Sequence, residues 1–91
     1  MIRLAVVVEN RLGLHARAAA KLVRVASRFC SDVHLAKEGY RQAIDCKSIL
    51  GVLMLAACQG TRLVITANGP DEVEAGDAIS RLFATRFGEE N

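Results

Sequence analysis

The feature that most constrains the fold of this chain is a repeated change in the spacing of its apolar residues. Residues 2–8 place apolar side chains at every second position, which is typical of a half-buried strand. Residues 9–14 interrupt this pattern as a loop, and residues 16–29 then space their apolar side chains as a helix does. The helical stripe consists of Ala19, Leu22, Val23, Ala26 and Phe29. A strand followed by an amphipathic helix predicts a helix packed on a sheet.

The rest of the chain repeats this alternation. The further predicted elements are, in chain order, a strand at 33–35, a strand at 40–44, a helix at 48–55, a strand at 63–67 and a helix from 70 onward. Glu38-Gly39 is the predicted turn of a hairpin between the second and third strands. The buried stripe of the last helix is predicted to be Val73, Ile79, Leu82, Phe83 and Phe87. The order βαββαβα predicts an α+β two-layer sandwich, a four-stranded antiparallel sheet covered on one face by three helices.

Length and composition limit the classes of function. A chain of 91 residues, 52% of them hydrophobic, suits one compact domain over 1–91 and leaves no room for a large enclosed cleft. Twelve basic and ten acidic residues give a net charge of +2, and aromatic residues are only 4%. These values argue against a nucleic-acid-binding surface. The apolar run that ends at Val8 is too short for a signal peptide or a membrane span, so we expect a cytoplasmic protein without membrane insertion. We also expect the protein to be a monomer.

The cysteine and histidine spacing predicts no metal or cofactor site. Cys30, Cys46 and Cys58 are odd in number and lack CxxC spacing, which favours neither a disulfide framework nor zinc. We expect all three to be buried free thiols in a reducing compartment. His34 lies in the middle of a predicted strand without a partner at metal-ligand spacing, and it is expected to be a solvated surface residue.

His15 is the strongest candidate for chemistry, because it lies where the loop at 9–14 meets the first helix. Backbone N–H groups at a helix start lack carbonyl partners, and Ala16 and Arg17 supply two of them here. With the positive end of the helix dipole and the Arg17 guanidinium, they predict a binding site for phosphate. A phosphoryl group on one ring nitrogen would favour protonation of the other and improve the imidazole as a leaving group. Position alone leaves open a simpler interpretation, in which His15 only caps the helix.

Two surfaces accompany this site. The basic stripe, opposite the apolar face of the first helix, consists of Arg17, Lys21, Arg24 and Arg28. In the second helix the inner face is already supplied by Ile49, Val52 and Leu55. The surplus apolar residues, which we call the apolar patch, are Leu50, Leu53 and Met54. Such a surplus predicts an exposed hydrophobic surface, with burial under the loop at 56–60 as the alternative.

Several segments together resemble one protein family. The sequence Gly13-Leu14-His15-Ala16-Arg17-Ala18-Ala19 resembles the phosphorylation-site motif of HPr, the histidine-containing phosphocarrier of bacterial phosphotransferase systems, which usually reads GLHARPA. Lys47 to Leu53 resembles the second-helix signature of that family. Gly60-Thr61 and Gly69-Pro70-Asp71-Glu72 follow at the family's spacing, and the similarity extends from Ile2 to about Gly88.

The resemblance implies a carrier that is not itself an enzyme. A phosphoryl group would pass from phosphoenolpyruvate through the phosphohistidine of enzyme I to the N-delta nitrogen of His15, in contact with Arg17. It would then pass to a histidine of an EIIA-type domain, in sugar uptake or its regulation. Both partners must reach the same nitrogen, so we expect one docking face built from Lys21, Arg24, Leu50, Leu53 and Met54. The family's sheet order is 1-4-2-3, an open-faced sandwich.

Three positions add to this comparison. Ser48 is predicted to cap the second helix, and in some bacteria the matching serine is phosphorylated by a bifunctional kinase/phosphorylase as a control signal. Ala18 replaces the family's usual proline. Gly76 lies where the family tends to have a larger apolar residue, and it is expected to cost about 0.5–1 kcal/mol of helix stability.

Other classes of protein share the order of elements. An acylphosphatase-type enzyme would use Arg11 to hold phosphate, but residues 40–45 contain no asparagine to position water. An RNA-recognition module would need paired strand aromatics, which are missing. A regulatory paralogue of the phosphocarrier, not coupled to transport, stays open as an alternative.

Overall fold

The strands and helices follow the predicted order βαββαβα over residues 1–89, the part of the chain that the computed structural model describes. In chain order they are β1 Ile2–Val7, α1 Ala16–Ala26, β2 Asp32–Lys37, β3 Ala43–Asp45, α2 Ile49–Met54, β4 Arg62–Asn68 and α3 Glu72–Ala84. Helix α1 ends three residues earlier than its apolar stripe predicts, although Phe29 still packs against the core. Strand β3 begins later than predicted.

The sheet has the order β1-β4-β2-β3, and all of its neighbouring strands are antiparallel. One row of side chains crosses the whole sheet, because Leu4 lies opposite Ile65, Ile65 opposite Leu35, and Leu35 opposite Ile44. This order confirms the one that the family resemblance implies.

The core lies between one face of the sheet and the three helices. Alternate strand residues are buried, and they meet the buried faces of the helices. The larger members of this core are Leu22, Val33, Leu35, Val52, Leu63, Ile65, Ile79 and Phe83. The intervening residues of β1 and β2, Arg3 and His34 among them, face solvent. The sandwich is therefore open on one side, and the prediction that His34 is a surface residue is confirmed.

The buried face of α3 differs from the predicted stripe. It consists of Ala75, Gly76, Ile79 and Phe83. Val73, predicted to be buried, is 53% exposed, because at about 100° per residue it points away from this face. Phe87 is buried, but it lies beyond the end of α3, in a turn at Arg86–Gly88.

Two further burial predictions are wrong. Cys30 and Cys58 are exposed in the connections that follow α1 and α2, and only Cys46 is buried. Burial, with a smaller effect of the Asp45 charge, raises the pKa of the Cys46 thiol to about 12. Ile49, assigned to the inner face of α2, is 46% exposed, because Val52 alone fills the centre of that short helix. Across residues 1–89, every helix is too short or too polar to cross a bilayer.

Candidate functional site

The loop that precedes α1 is fixed by close backbone contacts. Gly13 has a φ of +67°, and a Cβ at this position would lie 2.6 Å from the carbonyl oxygen of Ala57. The N–H of Leu14 donates to that same carbonyl at 2.9 Å. Asn10 is fully buried, and its Nδ2 donates to the carbonyl of Gly13 at 2.7 Å. The chain therefore enters α1 along a single path, which only glycine at position 13 permits.

His15 is the N-cap of α1 and is held at both ring nitrogens. Its backbone is extended, with φ −76° and ψ 179°, and Nδ1 accepts from the backbone N–H of Arg17 at 3.3 Å. On the other side of the ring, Nε2 lies 2.6 Å from Oε2 of Glu89. The side chain is 28% exposed, so it remains accessible from solvent. The capping role proposed from the sequence is confirmed.

The basic stripe is only partly free. Arg17 is exposed and makes no ion pair within residues 1–89, and Ala16 is exposed beside it in the first turn. Arg24 and Arg28 are exposed too. Lys21 is half-buried, and its Nζ donates to the carbonyl of Phe87. Lys21 thus ties α1 to the C-terminal segment, which leaves Arg17 and Arg24 as the freely exposed cations predicted for the site.

The apolar patch is exposed, as predicted. Leu50, Leu53 and Met54 are 66%, 38% and 74% exposed, so the loop at 56–60 does not cover them. Helix α2 packs against α1, and its C-terminal connection reaches the site through the hydrogen bond between Leu14 and Ala57. The connection after α2 therefore contacts the loop before His15 through buried residues.

Ser48 begins α2 at the other end of the patch. Its Oγ accepts from the backbone N–H of Gly51 at 3.2 Å, which confirms the predicted N-cap. The serine is partly exposed. Its hydroxyl consequently lies at the edge of the exposed face of α2.

Glu89 and Asn10 are the site residues that sequence reasoning did not find. Glu89 accepts a hydrogen bond from Asn10 Nδ2 at 3.1 Å in addition to its contact with His15. The hydrogen bond with His15 is the largest cause that lowers the pKa of Glu89, and Asn10 and Lys21 act in the same direction. The only local sign of this contact is Phe87, an apolar residue that returns to the core just before Glu89.

No group of histidine, cysteine and acidic side chains among residues 1–89 is arranged to hold a metal ion. The hydrogen-bond donors at the start of α1 are backbone amides and a guanidinium, which bind anions.

Comparison with known proteins agrees with this geometry. The family model for the PTS HPr component phosphorylation site matches residues 2–85. The phosphocarrier protein HPr of Cupriavidus necator is 51% identical over 80 residues, which cover 88% of each chain. A crystal structure of HPr from Thermoanaerobacter tengcongensis superimposes with a TM-score of 0.94 and 37% identity, with all of both chains covered. A crystal structure of the HPr dimer from the same organism matches with a TM-score of 0.76 and 37% identity, over 98% of this chain and 100% of that one.

An open-faced sandwich of this topology, with a motif histidine at the start of its first helix, defines a non-enzymatic phosphocarrier domain. Membership of this class excludes the acylphosphatase-type enzyme considered from the sequence. The chain belongs to the HPr family of the phosphotransferase system.

Proposed function

We propose that this chain carries a phosphoryl group on Nδ1 of His15. It accepts the group from the phosphohistidine of enzyme I and passes it to a histidine of an EIIA-type domain, in sugar uptake or its regulation. The observation that carries this proposal is the accessible His15 ring, whose Nδ1 faces the amide of Arg17 at the N-terminus of α1. His15, the amides of Ala16 and Arg17, and the Arg17 side chain all belong to the start of α1, which supports a phosphoryl site there.

The start of α1 is suited to the charge of the transferring group. The N–H groups of Ala16 and Arg17 and the positive end of the helix dipole favour an anion next to Nδ1. The unpaired Arg17 guanidinium can bind the equatorial phosphoryl oxygens. Phosphoryl transfer depends mainly on positioning and on stabilisation of this charge, and these groups supply both. Ala18, in place of proline, adds one more N–H in the same turn.

The test of the acceptor is phosphorylation by phosphoenolpyruvate and enzyme I, followed by intact-mass measurement. The wild-type chain should gain one acid-labile adduct of about 80 Da, the mass of a phosphoryl group. His15→Ala should abolish the adduct. His34→Ala is the matched control, because His34 is exposed in β2 and should leave the adduct unchanged. An adduct that persists in His15→Ala would contradict the proposal.

We further propose that enzyme I and the EIIA domain dock in turn on one face, the apolar patch with Arg24 and Lys21 at its rim. Because both partners must bring a histidine to the same nitrogen, they cannot bind together. A small apolar centre with a charged rim suits such brief complexes. A phosphate on Ser48 would add negative charge at the edge of this face, which supports a regulatory role for a kinase/phosphorylase at that residue.

The docking face is tested by NMR titration with enzyme I and with an EIIA domain. Leu50→Asp should weaken both complexes by about tenfold or more, because it puts a charge in the apolar centre. Val73→Asp makes the same change at another exposed apolar position, on α3, and should bind both partners like wild type. Two partners that perturb separate surfaces would refute the single face.

We propose that the carrier works as a monomer in the cytoplasm, where free thiols such as Cys30 and Cys58 stay reduced. Light scattering during the titration gives the mass of each complex. A mass that fits one copy of the chain per partner docking site would support a monomeric carrier. A chain that enzyme I phosphorylates but that never transfers to an EIIA domain would favour the regulatory paralogue instead.

A further inference from the structure

The C-terminal segment folds back over the site. After α3 ends at Ala84, Arg86, Phe87 and Gly88 all have positive φ, at 57°, 55° and 77°. These angles reverse the chain, and the buried ring of Phe87 packs edge-on against Phe83 with centroids 5.0 Å apart. The hydrogen bond from Lys21 to the carbonyl of Phe87 fastens the turn to α1. The next residue, Glu89, is therefore held against the start of α1.

The carboxylate of Glu89 links two elements of the site. Oε2 contacts His15 Nε2 at 2.6 Å, and Oε1 accepts from Asn10 Nδ2 at 3.1 Å. The Glu89 side chain is only 16% exposed, less than the ring it contacts. Asn10 directs its Nδ2 to two oxygens, Gly13 O and Glu89 Oε1, while its buried Oδ1 has no hydrogen-bond partner within residues 1–89. The side-chain amide of Asn10 thus orients this carboxylate.

These contacts assign the proton of the ring. An ionised carboxylate only accepts hydrogen bonds, whereas a backbone N–H only donates them. The lowered pKa of Glu89 keeps it ionised at neutral pH. Nε2 must therefore carry the proton, and Nδ1 must present its lone pair towards Arg17.

We propose that Glu89 is a positioning residue that holds the ring proton of His15 on Nε2 and so presents the Nδ1 lone pair for phosphoryl transfer. This inference rests on the proposed function of His15. During acceptance the hydrogen bond from the Arg17 N–H to Nδ1 breaks. The freed Nδ1 lone pair forms the N–P bond, while the P–N bond to the donor imidazole breaks and its electron pair returns to the donor nitrogen. The proton stays on Nε2, so the ring of His15 becomes positively charged. The Glu89 carboxylate beside Nε2 offsets that charge, and the reverse sequence releases the group.

Two variants separate the orientation from the charge. Glu89→Gln keeps a carbonyl that accepts from Nε2–H but removes the negative charge, and Glu89→Ala removes both. The matched control is Glu74→Gln, the same chemical change at an exposed position of α3. Thermal unfolding of each variant checks that the fold is retained.

The first measurement needs no partner protein. Nitrogen-15 NMR of the His15 ring in the unphosphorylated chain reports which nitrogen carries the proton. Wild type, Glu89→Gln and Glu74→Gln should all show the Nε2–H tautomer. Glu89→Ala should populate the Nδ1–H tautomer as well, because only the longer 3.3 Å contact from the Arg17 N–H then opposes it. An unchanged tautomer in a folded Glu89→Ala variant would overturn the proposal.

The second measurement is the rate of phosphoryl acceptance from phosphorylated enzyme I. Glu89→Gln should be slower by about tenfold, the effect of one charge-assisted hydrogen bond, and Glu89→Ala should be slower still. Wild-type rates in both variants would overturn the role in transfer. Failure of the wild-type chain to form a phosphohistidine would refute the proposed function instead, and the tautomer measurement would still decide the role of Glu89.

Discussion

At the scale of single residues, the site depends on what each group next to His15 can and cannot donate. The helix amide and the Glu89 carboxylate select different nitrogens of one ring. Arg17 differs from both, because its exposed guanidinium makes no ion pair within residues 1–89 and is available to a ligand. The backbone N–H of residue 17 donates to Nδ1 of His15, and this contact does not depend on the side chain at position 17.

Arg17→Ala should therefore separate function from folding. We expect phosphoryl transfer from enzyme I to slow by about 10²–10³-fold, as for the loss of one donor to a developing charge, with an unchanged unfolding temperature. Quench-flow kinetics and thermal unfolding measure the two effects. Arg28→Ala, an exposed cation at the far end of the same stripe, should transfer almost normally. Wild-type transfer by a folded Arg17→Ala variant would contradict the role.

At the scale of elements, the helices approach the sheet closely where small residues allow it. Gly76 faces β1 from α3, and a Cβ at this position would overlap Cδ1 of Ile2 and lie 3.1 Å from Cδ1 of Leu4. The glycine lowers helix propensity, as expected from the sequence, but it lets the side chains of β1 fill the space against α3. Its local cost is thus offset by packing.

A double-mutant cycle tests this packing. Gly76→Ala gains helix propensity but overpacks the contact, so we expect the free energy of unfolding to fall by about 1 kcal/mol. In an Ile2→Val background, which removes Cδ1, the same change should cost at least about 0.5 kcal/mol less. Urea unfolding gives all four values. Asp77→Ala, on the exposed face of α3, should be additive with Ile2→Val. Equal effects of Gly76→Ala in both backgrounds would rule out the contact.

At the scale of the whole molecule, acidic side chains fasten distant parts of the chain together. Asp71 joins the start of α3 to the turn before β2, and hydrogen bonds from the Ser31 hydroxyl and then the Cys30 N–H lower its pKa. The amino group of Met1 lowers the pKa of Glu72, and His15 lowers that of Glu89. Each folded-state pKa lies below its unfolded value, so the stabilisation is complete above about pH 5 and is lost as the pH falls through the folded values.

Asp71→Asn should remove part of this pH dependence. We expect a lower free energy of unfolding than wild type at pH 7, and a difference that shrinks as the pH falls below about 4, because wild type then loses its own ionised contacts. Urea unfolding between pH 3 and 7 measures both curves. The free energy of unfolding of Asp77→Asn should change with pH as that of wild type does, since Asp77 is exposed on α3. A difference that stays constant for Asp71→Asn would show that its charge does not contribute.

Local spacing along the chain was enough to predict the order of the elements, the side-chain caps His15 and Ser48, and a surplus of apolar residues on α2. These features are local, because spacing along a helix or strand fixes which side chains share a face. The same reasoning was wrong for Val73 and Ile49, which lie on the outer sides of their helices, and for Cys30 and Cys58, which lie in exposed connections.

Contacts between groups far apart in the chain depend on the three-dimensional packing of the elements. Periodicity gives no strand order, and the order 1-4-2-3 came instead from the resemblance to a family. Glu89 and His15 are 74 positions apart in the chain, and their contact follows from the reversal at Arg86–Gly88 and the burial of Phe87. The close approach of Gly76 to β1 arises in the same way. Each is a contact between separate elements, which no local pattern of residues encodes.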